Sequence, residues 1–173
     1  MEIGRIALVA ALAATAPLLL GSIDRGSNFD ARLLAAHNRE RAQAGVPPLD
    51  WDPMLAADAR LWADALAETE TFFHSRYDPT DPEAQGENLW AGTPDAWAPE
   101  EMVGLWVSEK RHFRPGVFPA VSKSGDLDDV GHYTQIIWRN TRKVGCALAR
   151  GRTEDVLVCR YSQGGNVLGE RVV

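Results

Sequence analysis

Four histidines supply most of the residue types that could do chemistry here: His37, His74, His112 and His132. Imidazoles near carboxylates are the usual vocabulary of divalent-cation sites and of acid–base sites. His74 precedes a Pro-containing loop, His132 follows a glycine, Glu87 follows Gly86, and Glu109 falls near the end of a helical stretch. None of these lies close to another in sequence, and neither a His-x-x-x-His spacing nor a paired-Cys motif occurs. Any shared site must therefore be assembled by the fold. A hydrogen-bonded structural histidine is the default reading of each one. Nucleophilic catalysis has weaker support, because no Gly-x-Ser-x-Gly elbow and no Gly-rich phosphate loop ahead of a helix is present.

The elements that would carry these side chains can be read from caps and periodicity. Asn28 should cap a helix from about Phe29 to Ala44, with Gly45 just past its end and Pro47-Pro48 preventing continuation. Phe29, Leu33, Ala36, His37, Glu40 and Ala44 fall along one stripe, which points His37 inward. Asp52 caps a second helix that starts at Pro53 and runs to about Glu68, with Asp58 the charged member of its stripe. Asp78 to Gln85 reads as an exposed loop. Gly86 to Ala91 could begin a short helix, and Pro99-Glu100-Glu101 begins a stronger one. The period then alternates: Tyr133 to Trp138, Val144 to Leu148 and Val156 to Tyr161 read as strands. Helices first and antiparallel strands last give an α+β domain.

The 173 residues carry a formal net charge of −6, without a basic block long enough to track a phosphate backbone, so nucleic-acid binding is a poor expectation. The apolar run Ile6 to Leu20 is short for a membrane span and fits the hydrophobic region of a secretory signal over residues 1–22; an uncleaved anchor is the alternative. Export permits a disulfide. Cys146 and Cys159 are symmetric about Arg152-Thr153, so in a hairpin they would face each other; two buried free thiols are the other possibility.

Four ordered segments carry a family resemblance. Gly131-His132-Tyr133-Thr134-Gln135-Ile136-Ile137-Trp138-Arg139-Asn140-Thr141 resembles the main signature of the CAP superfamily, which includes cysteine-rich secretory proteins, venom allergens and plant pathogenesis-related class 1 proteins. Val156 to Val167 is similar to the second signature, with Gln163 where a proline is frequent. Gly86-Glu87-Asn88-Leu89 and His37-Asn38-Arg39-Glu40-Arg41 are similar to the third and fourth. The resemblance implies a CAP (SCP) domain over 28–170, folded as a three-layer α-β-α sandwich around a central antiparallel sheet. It implies a cavity tetrad of His74, Glu87, Glu109 and His132, in which the histidines bind zinc or another divalent cation weakly and the glutamates support them. Such a site should weaken below about pH 6 as imidazoles protonate. His37, Asn38 and Arg41 would instead tie the first helix to the core.

For function the resemblance implies a secreted, extracellular or periplasmic binding protein, and the Ala- and Arg-rich usage suggests a bacterial member. Its groove would take a lipid, peptide or protein partner, with membrane contact only through an uncleaved N-terminal segment. Trp90 and Trp97 could add an exposed apolar patch, although burial is their default. Two alternatives remain. One is a metal-dependent hydrolase in which Glu87 or Glu109 serves as general base to metal-bound water. The other is a non-catalytic envelope scaffold.

Overall fold

The computed structural model describes residues 28–76 and 84–173. The expected signal or anchor over 1–22, and most of the expected Asp78 to Gln85 loop, lie outside the described residues. The element order is α1 (Phe29–Ala44), β1 (Asp50–Trp51), α2 (Pro53–Thr69), β2 (Gly86–Gly92), α3 (Pro99–Val107), a 3-10 turn (Ser108–Arg111), α4 (Gly131–Ile137), β3 (Lys143–Arg150) and β4 (Asp155–Ser162). The sheet order is β1-β3-β4-β2. β3 and β4 pair antiparallel as expected, β2 adds a further antiparallel strand beside β4, and the two-residue β1 adds a parallel edge against Lys143 and Val144.

Local chemistry sets the helix ends. Asp52 accepts at Oδ1 from the N–H groups of Met54 and Leu55, and Pro53 occupies the first helical position of α2. Gly45 closes α1 at φ 70°, its N–H reaching the carbonyls of Arg41 and Ala42. Asn28 stands at the start of α1 but makes no side-chain cap; it is itself left-handed at φ 57°.

The sheet separates two apolar layers. On one face α2 presents Ala59, Ala63 and Leu66 to Leu89, Ala147, Ala149, Val156 and Val158. Small residues bring this helix very close: a Cβ on Gly145 would lie 2.2 Å from the backbone nitrogen of Ala56. On the other face α1, α3 and α4 bury Leu33, Met102, Val103, Trp106, Ile136 and Trp138 against Trp90, Leu157, Cys159 and Tyr161. The result is the expected α-β-α sandwich. In register, Cys146 sits opposite Cys159, and the two form the disulfide. Trp90 is buried and meets Trp97 edge to face at 5.7 Å, so the pair is packing rather than an exposed patch.

Two expected elements are corrected. Gly86 to Ala91 does not start a helix but forms β2, paired along its length with β4. Its side chains alternate, Leu89 toward α2 and Trp90 toward the opposite layer. Tyr133 to Trp138 is not a strand; residues 131–137 form α4. Tyr133 to Ile137 are all buried, so neither period shows as a polar–apolar contrast. What selects the helix is a cap on its first turn by a glutamate distant in sequence, with Thr134 Oγ1 close to the carbonyl of Val130.

Candidate functional site

Glu109, in the 3-10 turn after α3, is that cap. Its Oε2 accepts from the backbone N–H groups of His132 and Tyr133, each at 3.0 Å, and its Oε1 accepts from His132 Nδ1 at 2.6 Å. One carboxylate thus fixes both the start of α4 and the imidazole it carries. Trp106 stacks on His132 at 6.0 Å with an interplanar angle of 11°, while its indole N–H donates to the carbonyl of Leu89.

His74 is paired in the same way. Its Nδ1 lies 2.7 Å from Glu87 Oε1, which also accepts from the Ser75 N–H at 3.0 Å. Glu87 Oε2 lies 3.0 Å from an Arg160 guanidinium nitrogen across the β2–β4 ladder. Burial raises the Glu87 pKa, but the His74 hydrogen bond, the charge of Arg160 and the Ser75 donors outweigh it, and the carboxyl sits below its ordinary value.

The structure therefore assembles the four residues as two His–Glu pairs. Strand alternation puts Glu87, like Leu89, on the α2 face of β2, and puts Asn88 on the other face. There Asn88 Nδ2 donates to the His132 carbonyl at 3.1 Å. The pairs flank the edge strand from its two sides. Among the described residues, no group of three or more His, Cys, Asp and Glu is placed to hold a metal ion.

A cleft of ≈ 790 Å³ opens over the His74 pair, lined among others by Asp58, Gln135, Asn140, Arg160, Gln163 and Asn166. Its lining does not include His132 or Glu109. Asp58, the charged stripe member of α2, accepts from Gln85 at the cleft. Gln135 Oε1 accepts from the Gly165 N–H, and Gly86 makes room for it: a Cβ there would lie 2.2 Å from that oxygen. Asn166 holds the first turn of α4 from the cleft side, donating to the Gly131 carbonyl and accepting from Thr134 Oγ1.

The motif in α1 is structural. His37 is fully buried; its Nδ1–H donates to the Leu33 carbonyl and its Nε2 accepts from Tyr161 OH, both at 2.8 Å. Burial, with Arg41 nearby, lowers its pKa to about 4 against the opposing Leu33 bond, so it stays neutral. Asn38 pairs reciprocally with the backbone of Leu49. Arg41 donates to the carbonyls of Pro47, Ile136, Trp138 and Thr141, pinning the end of α4. His112 is half-buried on the 3-10 side and accepts at Nε2 from Arg111.

Sequence reasoning missed Trp106, Asn88, Tyr161 and Arg160 as parts of the site. Asn88 had a signal, its place beside Glu87; Arg160 became readable only once β2 was a strand, since it is the cross-strand partner of Glu87. Glu40 was placed on the inward stripe of α1 but given no role.

Comparison with known proteins agrees with this fold. Residues 34–161 match the family described as CAP, the cysteine-rich secretory protein family. Pathogenesis-related protein 1A of Nicotiana tabacum is 35% identical over 154 residues, covering 88% of this chain and 86% of that one. Pathogenesis-related leaf protein 4 of Solanum lycopersicum is 38% identical over 139 residues, covering 80% and 79%. Among solved structures, NaASP2 with Zn2+ aligns at a TM-score of 0.69 and 21% identity, over 84% of this chain and 87% of that one.

Proposed function

The chain belongs to the CAP family of cysteine-rich secretory proteins, and on that premise we propose that it is an extracellular binding protein. A divalent cation would be held by His74 and His132, and the polar cleft over the His74 pair receives a peptide segment. One observation carries the binding reading over the hydrolytic one: both candidate general bases are already engaged. Glu87 accepts from His74 and from the Ser75 N–H and is ion-paired with Arg160, which lowers its pKa and weakens it as a base. Glu109 accepts from His132 and from two backbone N–H groups. The carboxylates orient imidazoles.

The donor set fits a divalent cation. Each imidazole gives its Nδ1–H to a carboxylate, which leaves Nε2 as the ligating lone pair, the usual support of a metal-binding histidine. Two protein ligands with water completing the shell would make an open, exchangeable site. A solved structural neighbour contains Zn2+, which favours zinc as the probe. When bound, the cation would supply positive charge for a carboxylate or carbonyl oxygen of a ligand. The cleft lining of Asp58, Gln135, Asn140, Arg160 and Gln163 offers donors and acceptors for peptide groups. Secretion accords with the family and with a disulfide, and no helix among the described residues is long and apolar enough to cross a membrane.

The test is to incubate the zinc-loaded protein with a peptide library and analyse both the bound and the free fractions. Intact peptides retained by the wild type and lost by Asn140→Ala with Gln163→Ala support the reading. Cleaved peptides would establish the hydrolase instead, and retention of co-extracted lipid alone would show that the ligand class is wrong.

A further inference from the structure

We propose that Glu40, in α1, is the positioning residue for the Glu109–His132 pair; the role is defined on the reading that His132 is a site residue. Glu40 is a buried carboxylate, and its Oε1 accepts from two donors: Lys110 Nζ at 2.6 Å and Tyr133 OH at 3.1 Å. Each donor is the chain neighbour of one member of the pair. Lys110 follows Glu109 in the 3-10 turn, and Tyr133 follows His132 in α4.

The pair is made by two short elements, a four-residue 3-10 turn and a seven-residue helix. Segments this short hold no stable geometry by themselves. Both are instead tied to one oxygen on a 16-residue helix whose own seat is fixed by Arg41 and Asn38. Glu40 thus sets the distance between the 3-10 turn and the first turn of α4, and with it the 2.6 Å contact of Glu109 with His132 Nδ1.

The charges agree with this role. Lys110 is half-exposed and shares its ammonium between Glu40 and Gln43 Oε1, so it neutralises the buried carboxylate from the solvent side. Tyr133 donates its hydroxyl to the same carboxylate oxygen. Its ring packs edge to face on Phe113 at 5.4 Å, which leaves the hydroxyl aimed at α1. Among the described residues the His74–Glu87 pair has no such link to α1; Glu87 instead meets Ser75 and Arg160.

The contrast between the two pairs supplies the test. Long-range proton–nitrogen spectra of the full chain report the tautomer of each neutral imidazole without any metal present. Wild type should show His132 as a single Nδ1–H tautomer. In Glu40→Ala, His132 should become a tautomer mixture while His74 keeps its wild-type signal, and zinc affinity should fall ~10-fold, the usual size of losing an outer support. Glu40→Gln keeps an acceptor of the same shape and should restore most of both. Should Glu40→Ala fail to fold, Lys110→Met removes the tie to the 3-10 turn from a half-exposed site and should shift His132 in the same direction. If His132 keeps one tautomer and full zinc affinity in a folded Glu40 or Lys110 variant, the proposal is overturned. If both histidines change together, Glu40 is a general stabiliser and the positioning role is equally lost. If His132 alone responds but wild type binds no zinc, the positioning stands and the cation reading falls.

Discussion

His37 should make the domain lose stability in mild acid, ahead of its carboxylates. The imidazole is fully buried and already satisfied as the neutral form by Leu33 and Tyr161, and its pKa is lowered from 6.5 to about 4. The unfolded chain therefore binds this proton first as pH falls. Stability from this group is fully present above the unfolded value of 6.5 and is lost on the way down to the folded value of about 4. At 1.36 kcal/mol per pKa unit the loss is about 2 kcal/mol near pH 5 and about 3 kcal/mol at the lower end. Asp52, Glu87 and Glu100 also have lowered values, but they start from 3.8 and 4.5 and act lower in the range. Guanidinium unfolding of wild type and His37→Gln from neutral pH down to about pH 5 isolates the effect. Wild type should lose those ~2 kcal/mol while the variant, less stable at neutral pH, stays nearly flat. Equal slopes for the two would refute the assignment of the acid loss to His37.

Further outcomes follow from other contacts. Arg41→Lys keeps the charge but cannot reach the four carbonyls the guanidinium serves, and should cost ~3 kcal/mol in urea unfolding; a loss under ~1 would mean that water replaces those bonds readily. Gly145→Ala would force a Cβ to within 2.2 Å of the Ala56 backbone and should cost more than the ~1 kcal/mol typical of a point change, read as a lower melting temperature; an unchanged melt would show that α2 can retreat from β3 without cost. Replacing Cys146 and Cys159 together by Ala should cost ~3 kcal/mol for a loop of separation 13, read by denaturant midpoint in oxidised and reduced samples; equal midpoints would leave the bridge without a stabilising role.

How much of this was legible in the residues depended on where the information lay. The caps of α2 and the end of α1 were readable because Asp52-Pro53 and Gly45 act locally. The hairpin was readable because Cys146 and Cys159 mark its register. α4 was misread because Tyr133 to Ile137 are buried all round, so polar contrast could not show a period of 3.6 rather than 2. β2 was misread because the alternation along Gly86–Gly92 shows its two faces only beside β4. Of the site, residue types and family motifs identified His74, Glu87, Glu109 and His132. What they could not give is the pairing in twos across an edge strand, because that depends on which face of β2 each neighbour takes. The contribution of Glu40 was hidden for the same reason: Lys110 and Tyr133 lie 70 and 93 residues away.

The central claim is that one cation is shared by two imidazoles from opposite sides of β2. Titrating zinc into the wild-type chain by calorimetry, while following the His74 and His132 rings by NMR, tests it most directly. One equivalent should move both rings together, and either His74→Ala or His132→Ala should weaken binding by ~10-fold or more. Two independent equivalents, or full affinity retained in either single variant, would contradict a shared site.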